Sequence, residues 1–554
     1  MAATSLANGL RVLPAGDRAL LLSMIVAALA ALAAGVVFGA LTALVRAGVV
    51  DVAPDTGYRM MTLHGVTVFF YWLYFAQMAV LLAFTAIHTR AAPRLALPAL
   101  AWIGLALMIA GFGASQLGAW VGTPLLYDAP PELVGDERAP AAAIYLGYLL
   151  LAAGLFVLAA VTIATALAGK REGEKEWSTL GFGAVAWAGL VGVSGVATIN
   201  AFLPAALWSF GWRDMPADHS TGWHLLFHNL HYLPLMGTVL VWYALIREAT
   251  GVGSIFGERF SKAIFTLYLV VVPPTSLYHM FLEPALAPIV RALGSLLSLF
   301  ISLPTVAVFL VIVISLEAQA RARGARGAFG WLRVLPWREP AIAAIGMAVV
   351  NLALGGALAF VLIQERLAQL LSDTFFVPGY FHFLTIGTVS LTLLAALTRM
   401  IPALTGQALA ARRLLALLPY PLTAGLVLFG GAGMTAGLLG MPRRVLDAGY
   451  DGSAPAAWAS LSAIIGFGAS VMALCLLVYV AALAATLIPR GRTAEPGDSA
   501  AIDLAVPRRA AIRHAAWTAP LSVATLVLAM YALTILAFTV LRALPVVGSA
   551  AGSH

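Results

Sequence analysis

The sequence predicts an all-α, polytopic membrane protein, organised as a single integral-membrane domain over residues 1–554. Hydrophobic residues make up 62% of the chain and charged residues only 10%, and the mean hydropathy is +0.95. A soluble domain has a much larger share of charged residues, so these values exclude a soluble protein. The apolar residues are also gathered into long runs, each sufficient for a helix that crosses the hydrocarbon of a bilayer.

Thirteen apolar runs of about 20 residues or more predict about 13 transmembrane helices. No small-residue cleavage site follows a short apolar core near the start of the chain, so the first run is expected to be an uncleaved span. The sequence shows no repeat of 20–50 residues. The runs lie at 19–45, 59–88, 96–122, 141–168, 179–205, 223–246, 263–282, 286–316, 340–363, 375–400, 414–440, 457–489 and 515–541.

Basic residues predict that the short N-terminus lies inside. With that orientation the inner segments hold most of the lysines and arginines, including the cluster between Arg321 and Arg338, whereas the outer segments hold few. This asymmetry is the usual topology signal of membrane proteins. The net charge of +8 is therefore no evidence for nucleic-acid binding. A polar inner loop at about 490–514 contains Gly and Pro and is expected to be flexible.

The cysteine content excludes two kinds of site. Cys475 is the only cysteine and lies within an apolar run. The chain therefore has no internal disulfide framework and no site built from several thiolates, such as an iron–sulfur cluster.

Six of the ten histidines lie within predicted spans, and they belong to only four spans. An imidazole buried in an apolar bundle needs partners for its lone pair and its N–H, so an intramembrane histidine is a functional candidate. Burying six of them is most economical if they lie close together around a metal or a cofactor. The six are His64, His224, His228, His231, His279 and His382.

Two of these histidines suit haem. His64 is followed by Gly65, which admits the close approach of a flat macrocycle, and by Phe69 and Phe70, which could pack on it. His382, one turn inside the run opened by Pro378 and Gly379, would supply a second axial nitrogen from another helix. Two axial imidazoles would make the iron six-coordinate and low-spin, which suits electron transfer and excludes substrate.

The pattern resembles that of the catalytic subunit, subunit I, of the haem-copper oxidase superfamily. It is most similar to the B family, the ba-type cytochrome c oxidases, and the resemblance covers almost the whole chain. The segments that carry it are Thr62-Leu63-His64-Gly65, Ser315-Leu316-Glu317, residues 327–333, Pro378-Gly379-Tyr380-Phe381-His382 and Pro442-Arg443-Arg444.

The resemblance implies specific roles and partners. His64 and His382 would be the axial ligands of a low-spin haem b, and Arg443 and Arg444 would hold its propionates, a contact that charge-assisted hydrogen bonds make physically sensible. The implied setting is a respiratory complex in the prokaryotic cytoplasmic membrane. Its other subunits would include an outer-face cupredoxin-like protein or a cytochrome c as electron donor.

Three positions depart from the family pattern. The tenth span of the family carries His-x-His, and the first His binds the high-spin haem; here that residue is Tyr380. The family's copper site takes one His from the sixth span and a His-His pair from the seventh. His231 and His279 match two of these, but Tyr278 stands at the third position, and Leu235 replaces the tyrosine that is tied to the sixth-span ligand.

The altered positions leave alternatives open for a second haem and a second metal. Tyr380 could bind a ferric haem as a phenolate, as in catalases, or simply fill volume with no second haem. His224, His228 and His231 follow i, i+4, i+7 spacing on one helix face. His228 and His231, with His279 and Tyr278, could therefore bind copper, zinc or iron, or the histidines could form a hydrated seam.

Three functional classes follow. The first is an electron-transfer subunit that passes electrons through a bis-His haem b toward an altered centre. The second is a terminal oxygen or nitric oxide reductase with a remodelled site. The third is a transporter, which is disfavoured because no Asp or Glu lies near the middle of a predicted span, where ion-coupled carriers usually place them.

Overall fold

The computed structural model describes residues 6–122, 138–173, 176–214, 219–273, 287–290, 292–293, 302–363, 370–446, 452–489, 491, 502–515, 518, 521–522, 525 and 529. At 220–225, 227–234, 302 and 360–363 the description covers the backbone alone. Within these residues the regular secondary structure is helical, and the helices are joined by turns, loops and isolated bridges such as that between Thr374 and Pro442. The predicted all-α fold class is confirmed.

Long helices dominate the chain. Two of them, Pro54–His88 and Phe376–Thr405, contain a stretch of π-helix, at Thr67–Trp72 and at Phe383–Ser390. The helices are α1 Leu6–Arg11, α2 Ala15–Arg46, α3 Pro54–His88, α4 Pro98–Val121, α5 Arg138–Arg171, α6 Thr179–Ser209, α7 His219–Thr250, α8 Glu258–Val271, α9 Ser302–Ala322, α10 Gly330–Arg333, α11 Pro340–Ile363, α12 Phe376–Thr405, α13 Arg412–Leu438, α14 Ala457–Leu487 and α15 Arg508–Arg513.

Ten helices in the described residues are long and apolar enough to cross a membrane. They correspond to ten of the thirteen predicted runs. The sixth run coincides with α7, a helix of 32 residues, whose side chains are described only in part. The seventh run begins in α8 and continues beyond the described residues, and the thirteenth lies almost wholly outside them, so the number 13 stays a prediction.

Small residues let neighbouring helices approach closely. A Cβ added at Gly111 of α4 would lie 2.6 Å from the carbonyl oxygen of Gly147 in α5, so a larger residue would force these helices apart. Lipid tails are as apolar as the side chains, so the hydrophobic effect does not drive helices together within a bilayer. Close packing of this kind contributes to their association instead. Large aromatic side chains fill the centre of the bundle, and Trp72, Trp187 and Trp242 are fully buried there.

The π segment of α12 has identifiable hydrogen-bond partners. The hydroxyl of Thr388 donates to the carbonyl of Phe383 at 3.0 Å, and the side-chain amide of Asn351 in α11 donates to the carbonyl of Gly387 at 3.2 Å. These side chains satisfy carbonyl oxygens in a stretch where the regular i to i−4 ladder is interrupted. Such interruptions occur frequently at functional sites.

Charged side chains pair at one end of the bundle. Arg90 and Arg94 both reach Glu172, at 2.5 and 2.7 Å, and Arg412 reaches the buried carboxylate of Glu339 at 2.6 Å. Part of the predicted loop 490–514 joins this end, since the backbone N–H of Leu504 donates to the carbonyl of Thr250 at 2.9 Å. The flexibility of that loop stays a prediction.

Candidate functional site: a histidine pair in an intramembrane cavity

His64 of α3 and His382 of α12 face each other across the bundle. Their ring centroids are 6.3 Å apart and their planes differ by 10°. The chain brings them together from positions more than 300 residues apart, on two helices that each pass into a π segment just after the histidine. The sequence analysis predicted that these two imidazoles share one site, and the structure places them side by side.

In each imidazole one nitrogen is hydrogen-bonded to the backbone. Nδ1 of His64 is 2.7 Å from the carbonyl oxygen of Gly35, and Nδ1 of His382 is 2.7 Å from that of Pro378. Because a carbonyl oxygen only accepts, both Nδ1 atoms carry the proton. The lone pair of each neutral ring is therefore on Nε2, the atom that would coordinate a metal.

Two glycines of α2 allow α3 to approach closely: Gly39 makes room for the ring of His64 and Gly35 for Val68. Neither was singled out from the sequence. A Cβ added at Gly39 would lie 2.5 Å from Nδ1 of His64, and one added at Gly35 would lie 2.4 Å from a methyl group of Val68. The two form a Gly-x-x-x-Gly motif at 35–39. That motif is a recognised signal of close helix packing in membranes, so the sequence did carry the information.

The histidines line a cavity of about 240 Å³ bounded by α2, α3, α12, α13 and α14. Its walls are mainly apolar and include Gly65, Phe69 and Phe429, whose ring centroid lies 4.6 Å from that of His382. The expectation for Phe69 agrees with this position. The expectation for Phe70 was wrong, because its ring packs 4.5 Å from Tyr148 and outside the cavity.

Three arginines stand at one end of the cavity: Arg46, Arg443 and Arg444. Arg443 makes an ion pair with Asp373 at 3.1 Å, yet its Nε is buried and has no hydrogen-bond partner among the described residues. Arg46, which the sequence analysis did not single out, donates to the backbone carbonyls of Pro442 and Arg443, both at 2.9 Å. It thereby holds the loop that presents the other two arginines to the cavity.

Tyr380 lies outside this cavity. Its ring centroid is 6.2 Å from that of Phe376, and it packs in a small apolar cluster with Leu371, Met434 and Leu438. The sequence spacing predicted that Tyr380 and His382 have different neighbours, since two residues along a helix differ by about 200°. The arrangement agrees with that expectation.

The candidate second metal site cannot be built from the described residues. The side chains of His228 and His231 are outside them, although both positions lie in α7, and Tyr278 and His279 fall in 274–286, also outside. No group of three His, Cys, Asp or Glu able to hold a metal occurs in the part of the chain that the structure describes. The proposed ligands therefore stay predictions.

The histidine pair fits axial ligation of a planar macrocycle. Two imidazoles bound to one metal from opposite sides, at metal–nitrogen distances of about 2.0–2.1 Å, have ring centroids roughly 6 Å apart, which agrees with the observed 6.3 Å. The apolar walls suit the macrocycle. The buried Nε of Arg443, to which no described residue hydrogen-bonds, suits a carboxylate at its edge.

Known proteins show the same architecture. The chain has 29% identity over 317 residues to cytochrome c oxidase subunit 1 of Thermus thermophilus, an alignment that covers 55% of each chain. A second Thermus thermophilus sequence with that name is 34% identical over 76 residues, 14% of this chain and 70% of that sequence. The alignment with the first relative thus spans about half of its length.

A solved structure of a heme-copper terminal oxidase dimer, determined by cryo-EM, shares the fold with a TM-score of 0.79 at 22% identity and covers 91% of both chains. Residues 19–494 match the family described as cytochrome c and quinol oxidase polypeptide I. The chain therefore belongs to this family of oxidoreductases, the haem-copper oxidase subunit I family.

Proposed function

We propose that this chain is a membrane haem b protein of respiratory electron transport, in which His64 and His382 are the axial ligands of a low-spin haem. One observation carries the proposal: two nearly parallel imidazoles, 6.3 Å apart, each with its Nδ1 committed to a carbonyl. Haem b, when bound, would supply a one-electron redox couple.

The residues of the site hold this cofactor in defined ways. The carbonyls of Gly35 and Pro378 fix the tautomer and the orientation of the two rings, and such acceptors also raise the basicity of the coordinating nitrogen. Arg443 and Arg444 would meet the two propionates with charge-assisted hydrogen bonds. With both histidines as ligands, a bound haem would transfer electrons, and no substrate would reach its iron.

The destination of the electrons is the second part of the proposal. Residues Tyr380, Tyr278 and Leu235 stand where the B family of this superfamily has groups of its oxygen-reducing centre, so we infer an altered centre beyond the haem. Tyr380 is partly buried against an apolar cluster, which supports a role in packing. A cupredoxin-like subunit or a cytochrome c on the outer face would donate the electrons.

A second candidate function is a terminal oxygen or nitric oxide reductase with a remodelled site. The membership of an oxidase subunit family favours it. The site would use His228, His231 and His279, with Tyr278, as ligands of copper or another metal. His228→Ala then lowers the metal content, whereas an unchanged content contradicts this ligand set.

Haem and metal stoichiometry of the purified protein separates the two candidates. Pyridine haemochrome and elemental analysis give the amounts, and reduced-minus-oxidised spectra with and without carbon monoxide report an open axial position. The proposed electron-transfer role predicts one haem b, no copper and no effect of carbon monoxide. Two haems with a component that binds carbon monoxide would contradict it in favour of the reductase.

We also propose that the N-terminus lies inside a prokaryotic cytoplasmic membrane, as the distribution of basic residues supports. Val12 and Val49 flank α2 and are 65% and 69% exposed, while the native Cys475 is buried. In intact cells an impermeant thiol reagent should label Val49→Cys and spare Val12→Cys. The opposite labelling would reverse the orientation.

A further inference from the structure

The two helices that carry the histidines are joined by a buried hydrogen bond. Nε1 of Trp72 in α3 donates to Oγ of Ser390 in α12 at 2.9 Å. Both side chains line the cavity, and both are buried, with Trp72 1% and Ser390 3% exposed. The bond therefore connects the ligand-bearing helices at the cavity itself.

The bond lies at equivalent places in the two helices. Trp72 follows His64 by eight positions, and Ser390 follows His382 by eight positions. Trp72 is the last residue of the π segment Thr67–Trp72, and Ser390 is the last residue of the π segment Phe383–Ser390. In each helix the contact residue thus ends the π segment, and the rest of that segment lies between it and the histidine.

We propose that the hydrogen bond between Trp72 and Ser390 sets the relative orientation of the His64 and His382 rings, which makes both side chains positioning residues for the axial pair. This inference rests on the proposed haem function. A π segment interrupts the regular ladder of backbone hydrogen bonds. At such a segment the backbone alone fixes the rotation of the helix about its axis less firmly. A contact at the last residue of each segment restores that constraint.

The chemistry of the contact suits this role. The indole side chain has one hydrogen-bond donor and no acceptor. In a protein interior without water, a helix rotation that leaves this N–H unpaired is strongly unfavourable. Ser390 is small, so its hydroxyl can only reach Trp72 while the two helices keep their separation. The pair therefore acts as a geometric constraint on the helices and not as a ligand.

A second bond of the same kind provides a matched control. Nε1 of Trp242 in α7 donates to Oγ1 of Thr392 in α12 at 2.8 Å, and both residues are fully buried. Thr392 lies two positions after Ser390, but neither Trp242 nor Thr392 lines the cavity. Loss of this bond removes the same type of interaction without touching the contact between α3 and α12.

The test compares the low-spin EPR spectrum, the haem content and the thermal unfolding of the parent, Trp72→Phe, Ser390→Ala, Ser390→Thr and Trp242→Phe. The g values of a bis-imidazole haem report the angle between the ring planes. We expect shifted or broadened g values in Trp72→Phe and Ser390→Ala, and recovery of the parent spectrum in Ser390→Thr, which keeps the hydroxyl. Trp242→Phe should lower the unfolding temperature and leave the g values unchanged.

Two results would overturn the inference, and they are distinguishable. A parent with a normal bis-imidazole spectrum that persists in Trp72→Phe and Ser390→Ala would contradict the positioning role and leave the proposed haem site intact. A parent without any low-spin haem would contradict the proposed function, and this inference with it.

Discussion

The guanidinium of Arg46 donates to the backbone carbonyl of Arg443 at 2.9 Å, across almost 400 residues of chain. Arg46 also lies over the ring of Phe375 at 4.5 Å, so one side chain links α2 to the start of α12 and to the loop that follows α13. The same helix supplies Gly35 and Gly39 beside His64. α2 therefore shapes the cavity at both the histidine and the arginines.

Replacing Arg46 by methionine should loosen this loop. The variant loses two charge-assisted hydrogen bonds and the contact with Phe375, so we expect the free energy of unfolding to fall by roughly 1–3 kcal/mol and haem to dissociate faster. Thermal unfolding and haem transfer to apomyoglobin measure the two effects. Arg413→Met is the control, because Arg413 is exposed; equal losses in both variants would contradict the role of Arg46.

A methyl group at position 39 should displace the His64 ring. Gly39→Ala places a Cβ only 2.5 Å from Nδ1 of His64, so the imidazole must move and most of the low-spin haem signal should be lost. Gly16→Ala, on the same helix, meets no atom within 4 Å and should change the unfolding free energy by no more than about 1 kcal/mol. A normal haem spectrum in Gly39→Ala would show that the ring is not confined there.

Removing the hydroxyl of Tyr380 should leave the haem site unchanged. Tyr380 packs with Phe376 and Met434 away from the cavity, so Tyr380→Phe keeps the packing and should keep both the haem stoichiometry and the low-spin spectrum. Pyridine haemochrome analysis and optical spectra measure these quantities. Loss of one haem in this variant would instead identify Tyr380 as a ligand.

The contact of Glu172 with two arginines should make stability depend on pH. Arg94 and Arg90 hydrogen-bond this carboxylate and hold its pKa below the usual value. A group with a lowered folded-state pKa contributes its stability above the unfolded-state pKa and loses it as the pH falls through the folded-state pKa.

Glu172→Gln should therefore unfold at a lower temperature than the parent at neutral pH, and the difference should vanish in acid, below the lowered pKa of Glu172. Glu176→Gln is the control, because Glu176 is also exposed and no ion pair to it is present among the described contacts. A difference between parent and Glu172→Gln that is independent of pH would mean that the carboxylate charge is not responsible.

The sequence predicted the fold class and the proximity of His64 and His382 because both follow from one physical constraint. Hydrocarbon selects long apolar helices, and it makes an unpartnered imidazole expensive. The sequence also contains Gly35 and Gly39 as a Gly-x-x-x-Gly motif, which is typical of close helix packing. It was missed because small residues are common in membrane helices and only the position of His64 gives these two a function.

Other features depend on contacts that local sequence does not encode. The π segment after His382 is accompanied by a hydrogen bond from Asn351 of another helix, and no local pattern predicts it. The expectation for Phe70 failed because the rotation of α3 decides which of two adjacent phenylalanines faces the cavity. The bond from Arg46 to 442–443 likewise joins segments that only the folded bundle brings together.

The most direct measurement of the central claim is the reduced-minus-oxidised and EPR spectrum of the parent beside His64→Ala and His382→Ala, with membrane insertion verified for each. We expect a low-spin bis-imidazole haem in the parent, with the rhombic EPR signal of nearly parallel rings, and its loss in both variants. Retention of the bis-imidazole spectrum in either variant would contradict the assignment of that histidine as an axial ligand.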